Sequence, residues 1–231
     1  MNGKPEKKEP HYTRHRQRLR ERFMKGGADV LPDYELLELL LFSAIPRRDV
    51  KPLAKALIDK FGTFSAVISA EPEELAEVKG MGEIAVIALK MVRAAALRFK
   101  LEELKQKEFV GNWQALMDYC YANLAYGKIE QFRILYLNPK NYIIADEAQQ
   151  KGTVDHTPVY PREVVKRALE LGATAIIMVH NHPSGDMTPS TADIEMTRKV
   201  KEAGKNLGIT LHDHIIVAKG GTFSFKNKNL L

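Results

Sequence analysis

The feature that most constrains this chain is a strand–loop–helix segment whose loop carries two histidines. An apolar, mostly β-branched run at 173–179 has the composition of a buried strand, and it leads directly into His180 and His182. Strand side chains alternate between faces, so residues two apart leave on the same side. After a loop with Asn, Pro, Ser and Gly, Ser190 and Asp193 occupy the N-cap and N3 positions of a predicted helix. The segment therefore predicts a site with two imidazoles and one helix-borne carboxylate.

Two imidazoles and a carboxylate are the ligands of a catalytic zinc site, which leaves its fourth position to water. Structural zinc sites are closed and usually contain several cysteines, whereas this chain has the single cysteine Cys120. Water bound to zinc has its pKa lowered to about 7. Asp186, in the loop, is the rival to Asp193 as third ligand, and Asp193 is preferred for its fixed place on a helix. The plain alternative is a pair of loop histidines without a metal.

The spacing of these residues resembles a known motif. Two histidines separated by one residue, then seven residues, a serine, two residues and an aspartate resemble the JAMM (JAB1/MPN/Mov34) metalloprotease pattern. The surrounding words resemble the bacterial RadC branch of that superfamily, and the likeness covers most of the chain. These words are Pro161-Arg162-Glu163-Val164 and His180-Asn181-His182-Pro183-Ser184-Gly185.

This resemblance implies a mechanism and a fold. One Zn²⁺ per chain would be held by His180, His182 and Asp193, with Ser190 stabilising the tetrahedral intermediate and a glutamate activating the water. The implied activity is hydrolysis of an amide bond, peptide or isopeptide, in a peptide or protein substrate. The implied fold is α/β (α+β), with a JAMM/MPN-like mixed sheet flanked by helices in the C-terminal half and a small all-α domain before it.

Two glutamates are candidates for the residue that activates the water. Glu130 begins a predicted strand at 129–137, and in JAMM domains the catalytic glutamate likewise precedes an apolar strand well upstream of the histidine pair. Glu163 lies in the first turn of a helix that begins at Pro161, where a favourable interaction with the helix dipole explains it equally well. Glu130 is favoured. It would take a proton from the water and later donate it to the leaving amine.

A second histidine pair, in His212-Asp213-His214, lies on a predicted strand at 209–218. No capped aspartate follows it, so we interpret this pair as structural or as supporting the metal site. Metal-bound histidines usually need a partner for their other ring nitrogen, and Asp213 is a candidate for that partner.

The positive charge of the chain is concentrated at its N-terminus. Residues 1–25 contain nine Lys/Arg and three Glu, which accounts for the whole net charge of +6. A helix is predicted from Tyr12 to Lys25, with Leu19 and Phe23 able to dock on the rest of the protein. A further face carries arginines that could bind DNA phosphates, although a solvated basic tail explains them as well. These arginines are Arg14, Arg18 and Arg22.

The following region is predicted to be helical, with Asp33 as the N-cap of its first helix. Gly80 and Gly82 resemble the turn of a helix-hairpin-helix element, in which backbone N–H groups approach a DNA phosphate. Neighbouring glutamates weaken that interpretation, and a tight turn between packed helices is the alternative. The predicted division is a basic arm at 1–28, a helical domain at 29–108 and a zinc domain at 109–231.

Two other functions stay open beside the zinc hydrolase. One is a DNA-binding repair or recombination accessory factor whose zinc site is structural or vestigial, with DNA bound through the basic arm and the helical domain. The other is a zinc nuclease, disfavoured because no acidic cluster would hold a second metal.

The chain lacks an apolar run of membrane-spanning length and a signal segment, and it has one cysteine, so a cytoplasmic protein without a membrane partner is expected.

Overall fold

The computed structural model describes residues 11–106, 113–149 and 159–231, and the chain divides into two compact units, 1–95 and 96–231. The predicted boundary at 108/109 and the first ten residues of the predicted arm fall outside the described residues, so the predicted division stays a prediction. Among the helices that the structure describes, none combines the length and the apolar composition that a membrane span requires.

The first unit is helical throughout its described part. Its elements are α1 (His11–Gly26), a 3₁₀ turn (Ala28–Val30), α2 (Asp33–Ala44), α3 (Lys51–Phe61), α4 (Phe64–Ser69), α5 (Pro72–Ala76) and the first part of α6 (Glu83–Lys105). Each of the six α-helices contributes a fully buried or nearly fully buried apolar side chain to one core. These side chains are Leu19, Leu37, Leu57, Val67, Leu75 and Leu89.

Helix α1 packs within this unit. Leu19 is buried, as predicted, whereas Phe23 is 37% exposed and packs only in part. The Arg16 guanidinium, which is buried, donates to the carbonyl oxygen of Ile45 at 2.6 Å and lies 4.5 Å from the centre of the Phe42 ring. A buried arginine that donates to main-chain carbonyls therefore helps to fix α1 within this unit, together with the apolar packing of Leu19.

The start of α2 differs from the prediction. Asp33 is the first residue of the helix and not its N-cap, which is Pro32. The Asp33 carboxylate accepts a hydrogen bond from the backbone N–H of Phe64 at 2.8 Å, at the start of α4. The side chain therefore ties two helices together, a tertiary role that competes with local capping.

The second unit contains a five-stranded mixed sheet, which confirms the predicted α/β class. Strand order is β2-β1-β3-β4-β5, with β3 and β4 parallel and the other pairs antiparallel. The described elements that follow α6 are α7 (Trp113–Leu124), β1 (Phe132–Leu137), β2 (Ile143–Ala148), α8 (Pro161–Glu170), β3 (Ala175–Asn181), α9 (Thr191–Lys205), β4 (Thr210–Ala218) and β5 (Gly221–Ser224).

Helices cover both faces of this sheet. Alternate residues of β1 and β3 pack with α7 and the second half of α6 on one face, and the residues between them pack with α8 and α9 on the other. Phe132, Ile134 and Tyr136 of β1 lie on the α8/α9 face. His180 shares this face, because its ring stacks on Phe132. The strand that carries the first histidine and the helix that carries Asp193 are thus brought together by the pleat.

Candidate metal centre

His180 is completely buried near the end of β3. The antiparallel register places Phe132 of β1 opposite it, and the two rings stack with their centres 5.3 Å apart and 5° between their planes. An aromatic ring on one side and the strand pleat on the other restrict the imidazole to one orientation.

His182 lies just after β3, and its backbone N–H donates to the carbonyl of Val217 at 2.9 Å, which extends the pairing with β4. Its ring nitrogen Nδ1 lies 2.7 Å from the carbonyl oxygen of Asp186. A carbonyl only accepts, so Nδ1 must carry a proton, and in the neutral ring Nε2 is the acceptor. The Asp186 carboxylate itself accepts from the N–H of Thr188 at 2.8 Å, so it is engaged within its own loop.

Asp193 is fixed at the start of α9 by the capping box that the sequence predicts. Ser190 is the N-cap, and its hydroxyl oxygen accepts from the N–H of Asp193 at 3.1 Å. In return, one oxygen of the Asp193 carboxylate accepts from both the N–H and the O–H of Ser190, each at 2.7 Å. This reciprocal pair of bonds holds the carboxylate in place.

The three side chains converge. His180 Nε2 lies 2.9 Å from His182 Nε2 and 3.2 Å from a carboxylate oxygen of Asp193, and His182 Nε2 lies 3.5 Å from the other oxygen. Ligand atoms about 2.0 Å from a common tetrahedral zinc are separated by about 3.3 Å, so the observed separations fit this ion. Within the described ranges, this is the one group of His, Cys, Asp or Glu side chains placed to hold a metal.

The electrostatics of the cluster favour a bound cation. Burial would raise the pKa of the Asp193 carboxyl, but the adjacent His180 and His182 rings and the hydrogen bond from Ser190 outweigh burial and hold that pKa well below its usual range. The pKa of His182 is raised, chiefly because its protonated form would donate a hydrogen bond to Asp193, and the charge of Glu130 contributes a smaller part. A carboxylate that stays ionised beside two imidazoles attracts a proton or a metal ion.

A cavity of about 510 Å³ opens beside the cluster. Glu130 lies on its wall, two residues before β1, which begins at Phe132 and not at the predicted residue 129. Glu163 is exposed, pairs with Arg162 at 3.2 Å, and does not line this cavity. The full lining is Glu130, Phe132, Val159, His182, Pro183, Ser184, Ser190, Ala192, Asp193 and Met196. Of the two glutamates, only Glu130 thus lies where a group bound at the cluster would meet it.

Asn181, between the two histidines, is a residue whose role sequence reasoning missed. It is buried, and its amide oxygen accepts from the N–H of Gln131 at 2.8 Å. Its amide nitrogen donates to the carbonyls of Ile129 and Gly127, each at 3.2 Å. Asn181 therefore holds the main chain on both sides of Glu130.

The second histidine pair supports the site from β4. His214 Nε2 lies 2.8 Å from His180 Nδ1, so His214 and not Asp213 is the partner of the ligand's second nitrogen. Asp213 accepts from the Ser224 hydroxyl and from the N–H groups of His214 and Lys226. Complete burial lowers the pKa of His214 well below its usual value, so its ring is neutral.

The candidate DNA-binding residues all belong to the first unit. Arg14 and Arg18 are exposed on α1, whereas Arg22 pairs with Glu35 at 2.8 Å. Gly80 has φ +102° and Gly82 directly precedes α6, so the two form the turn into that helix.

Two family models match successive parts of the chain. Residues 110–230 match the model of the RadC-like JAB domain, and residues 11–87 match the UPF0758 N-terminal domain. A UPF0758 protein from Ruegeria pomeroyi is 56% identical over 223 residues, which is 96% of this chain and all of the relative. A UPF0758 protein from Rhodobacter capsulatus is 57% identical over 213 residues, which is 92% of this chain and all of the relative.

Proposed function

We propose, from the premise that this chain belongs to the family defined by the RadC-like JAB domain, that it is a zinc-dependent hydrolase of amide bonds, peptide or isopeptide. One observation carries the proposal. Two imidazole nitrogens and a carboxylate oxygen converge at the edge of a cavity whose wall also carries a glutamate. His180, His182 and Asp193 would hold one Zn²⁺ per chain.

Zinc, when bound, lowers the pKa of a coordinated water to about 7 and polarises a carbonyl oxygen. Glu130 is the group on the cavity wall that can accept a proton from the attacking water and return it to the leaving amine. The Ser190 hydroxyl lies on the same wall, and rotation of its O–H toward the cavity would let it donate to the oxyanion that develops on the carbonyl. In this structure that hydroxyl donates to Asp193.

Asn181 positions Glu130. Its amide oxygen accepts from the residue after Glu130 and its amide nitrogen donates to the residue before, which fixes the main chain of Glu130 relative to the end of β3. A general base must be held within hydrogen-bond reach of the proton it takes, and a shift of about 1 Å costs about a hundredfold in rate.

The test compares two variants in which glutamine replaces a glutamate, so that one carboxylate oxygen becomes an amide nitrogen. Glu130→Gln should keep zinc at one per chain and lose hydrolysis of a quenched peptide library by about 10²–10⁴-fold, the usual contribution of a general base. Glu163→Gln is the matched control and should keep both, because Glu163 lies off the cavity.

Hydrolysis should also stop on removal of zinc by a chelator and return on its addition. Full activity of Glu130→Gln, or loss of activity only in Glu163→Gln, would reverse the assignment of the base. Failure of the zinc-loaded protein to cleave any peptide or isopeptide substrate, together with cleavage of DNA in the same incubation, would replace the peptidase by a zinc nuclease.

The second candidate is a DNA-binding accessory factor, and the exposure of Arg14 and Arg18 on α1 is the observation that favours it. If these arginines contact phosphates, replacing both with glutamine should lower the slope of log affinity against log salt by about two. An unchanged slope, with zinc-dependent hydrolysis intact, would remove DNA from the proposal.

A further inference from the structure

A chain of three hydrogen bonds, two of them buried, connects Asp193 on α9 with His180 on β3. It runs from the main-chain carbonyl of Asp193 through Thr197 and His214 to His180. We infer that Thr197 and His214 are positioning residues that fix the tautomer of His180 so that its Nε2 presents a lone pair to the metal. This inference rests on the proposed zinc site and adds the residues that prepare it.

The contacts of the Thr197 hydroxyl determine where the protons of this hydrogen-bond chain lie. This hydroxyl lies 2.6 Å from the carbonyl oxygen of Asp193, one turn earlier in α9, and 2.6 Å from His214 Nδ1. A carbonyl only accepts, so the single hydroxyl proton goes to Asp193. The hydroxyl oxygen must then accept from His214, which places the proton of that ring on Nδ1.

The proton on Nδ1 of His214 in turn determines the tautomer of His180. His214 is completely buried with its Nδ1 donating to Thr197, and a ring that carries this one proton has its Nε2 as an acceptor. His214 Nε2 lies 2.8 Å from His180 Nδ1, which therefore donates. The remaining nitrogen of His180, Nε2, is left with its lone pair aimed at His182 and Asp193.

His182 has the same tautomer, because its Nδ1 donates directly to the carbonyl of Asp186. The Nε2 atoms of both rings are therefore acceptors that face the Asp193 carboxylate. Three acceptors at this distance repel one another unless a cation lies among them. The arrangement is that of a site prepared for a metal before the metal arrives. Metal-bound histidines generally depend on such partners, whose loss weakens metal binding by about 10–100-fold.

The experiment uses full-length protein labelled with ¹⁵N and freed of metal. Long-range ¹H–¹⁵N correlation spectra report which nitrogen of each imidazole carries the proton. We expect the proton on Nδ1 in His180, His182 and His214. In Thr197→Val, which keeps the shape and removes the hydroxyl, His180 should become a mixture of tautomers, and the zinc dissociation constant should rise about 10–100-fold.

Two controls separate this role from general stability. Thr197→Ser keeps the hydroxyl and should restore both the tautomer and the affinity. Ser224→Ala removes another buried hydroxyl bond, to Asp213 on the strand that carries His214, and should leave tautomer and affinity unchanged even if the protein melts earlier.

A proton on Nε2 of His180 in the metal-free wild-type protein would overturn the inference, as would zinc affinity unchanged in Thr197→Val. The metal-free spectrum of the wild-type chain decides the point even if Thr197→Val fails to fold. If the tautomers are as expected but the protein binds no zinc, the inference on Thr197 and His214 is supported and the proposed zinc-dependent function is refuted. If zinc binds tightly but His180 carries its proton on Nε2, the inference is refuted and the proposed zinc site is supported.

Discussion

Replacing His182 with alanine should remove the zinc-dependent part of the stability of the second unit. The His182 side chain is 16% exposed at the cavity edge, so its removal leaves no sealed void, unlike removal of the fully buried His180. Two of the three ligands remain in this variant, as does the capped Asp193. The comparison therefore isolates coordination from packing.

The magnitude follows from linkage. An ion that binds only the folded protein stabilises it by about 2.7 kcal/mol when its free concentration is about 100 times its dissociation constant. For a unit of the size of residues 96–231, a change of 1 kcal/mol moves the melting midpoint by about 3 °C. Zinc should thus raise the wild-type midpoint by about 8 °C. A loss of affinity of about a hundredfold in His182→Ala should reduce this rise to about 1 °C.

The assay is thermal melting followed by tryptophan fluorescence, with and without zinc. Trp113 is the single tryptophan of the chain and packs against the core of the second unit, so its signal reports this unit. His212→Ala is the matched control, since His212 bonds to Asn141 and not to the cluster, and it should keep the full rise. An equal rise in wild type and His182→Ala, or no rise in wild type, would refute the reasoning.

Protons, thiol reagents and glycine substitutions probe other parts of the structure. The pKa of His182 is raised, so protons should compete with zinc from a higher pH than they do at a free imidazole, and affinity should fall about tenfold per pH unit below that pKa; calorimetric titration between about pH 5 and 8 checks this. In metal-free protein the same shift contributes stability at pH below the unfolded-state pKa, and this stability is lost as pH rises through the folded-state pKa, which urea unfolding across that range measures. Burial raises the pKa of the Cys120 thiol, so a thiol reagent should label it only after unfolding; rapid labelling of the folded protein would contradict this. Gly80→Ala should destabilise by about 1–3 kcal/mol because its φ of +102° is strained for other residues, whereas Gly82→Ala meets open space and should not destabilise through strain; denaturant titrations by circular dichroism compare the two.

The parts of the site that the sequence predicts are local. The capping box of Ser190 and Asp193 spans three residues, and the two histidines follow a strand whose apolar composition is plain, so turn and strand geometry place all four. Helix α4, Phe64–Ser69, is local in the same sense, because the Thr63 side chain accepts from the N–H of Ala66 at its start.

The parts that the sequence does not predict depend on register between distant segments. His214 meets His180 because β3 and β4 pair in parallel with a shift between Ile176 and Ile177, and a pairing displaced by one residue would present Asp213 instead. Asn181 reaches the segment of Glu130 across fifty residues of sequence. No local pattern encodes either contact, so the sequence alone favours Asp213 as the partner of His180 and indicates no role for Asn181.

Register also explains why three consecutive residues, 180–182, serve two purposes. The rings of His180 and His182 lie on the α9 face of the sheet, where they contact Asp193. The side chain of Asn181 lies on the opposite face and donates to the segment that follows α7. That segment carries Glu130 back to the cavity. The two histidines and Glu130, the proposed general base, are therefore all held by β3, and a slip of this strand by one residue would displace the three together. Because the distances among these three groups depend on one strand, motion between strands changes them less than it would if each group belonged to a separate element. Proton transfer within hydrogen-bond reach requires such constant distances.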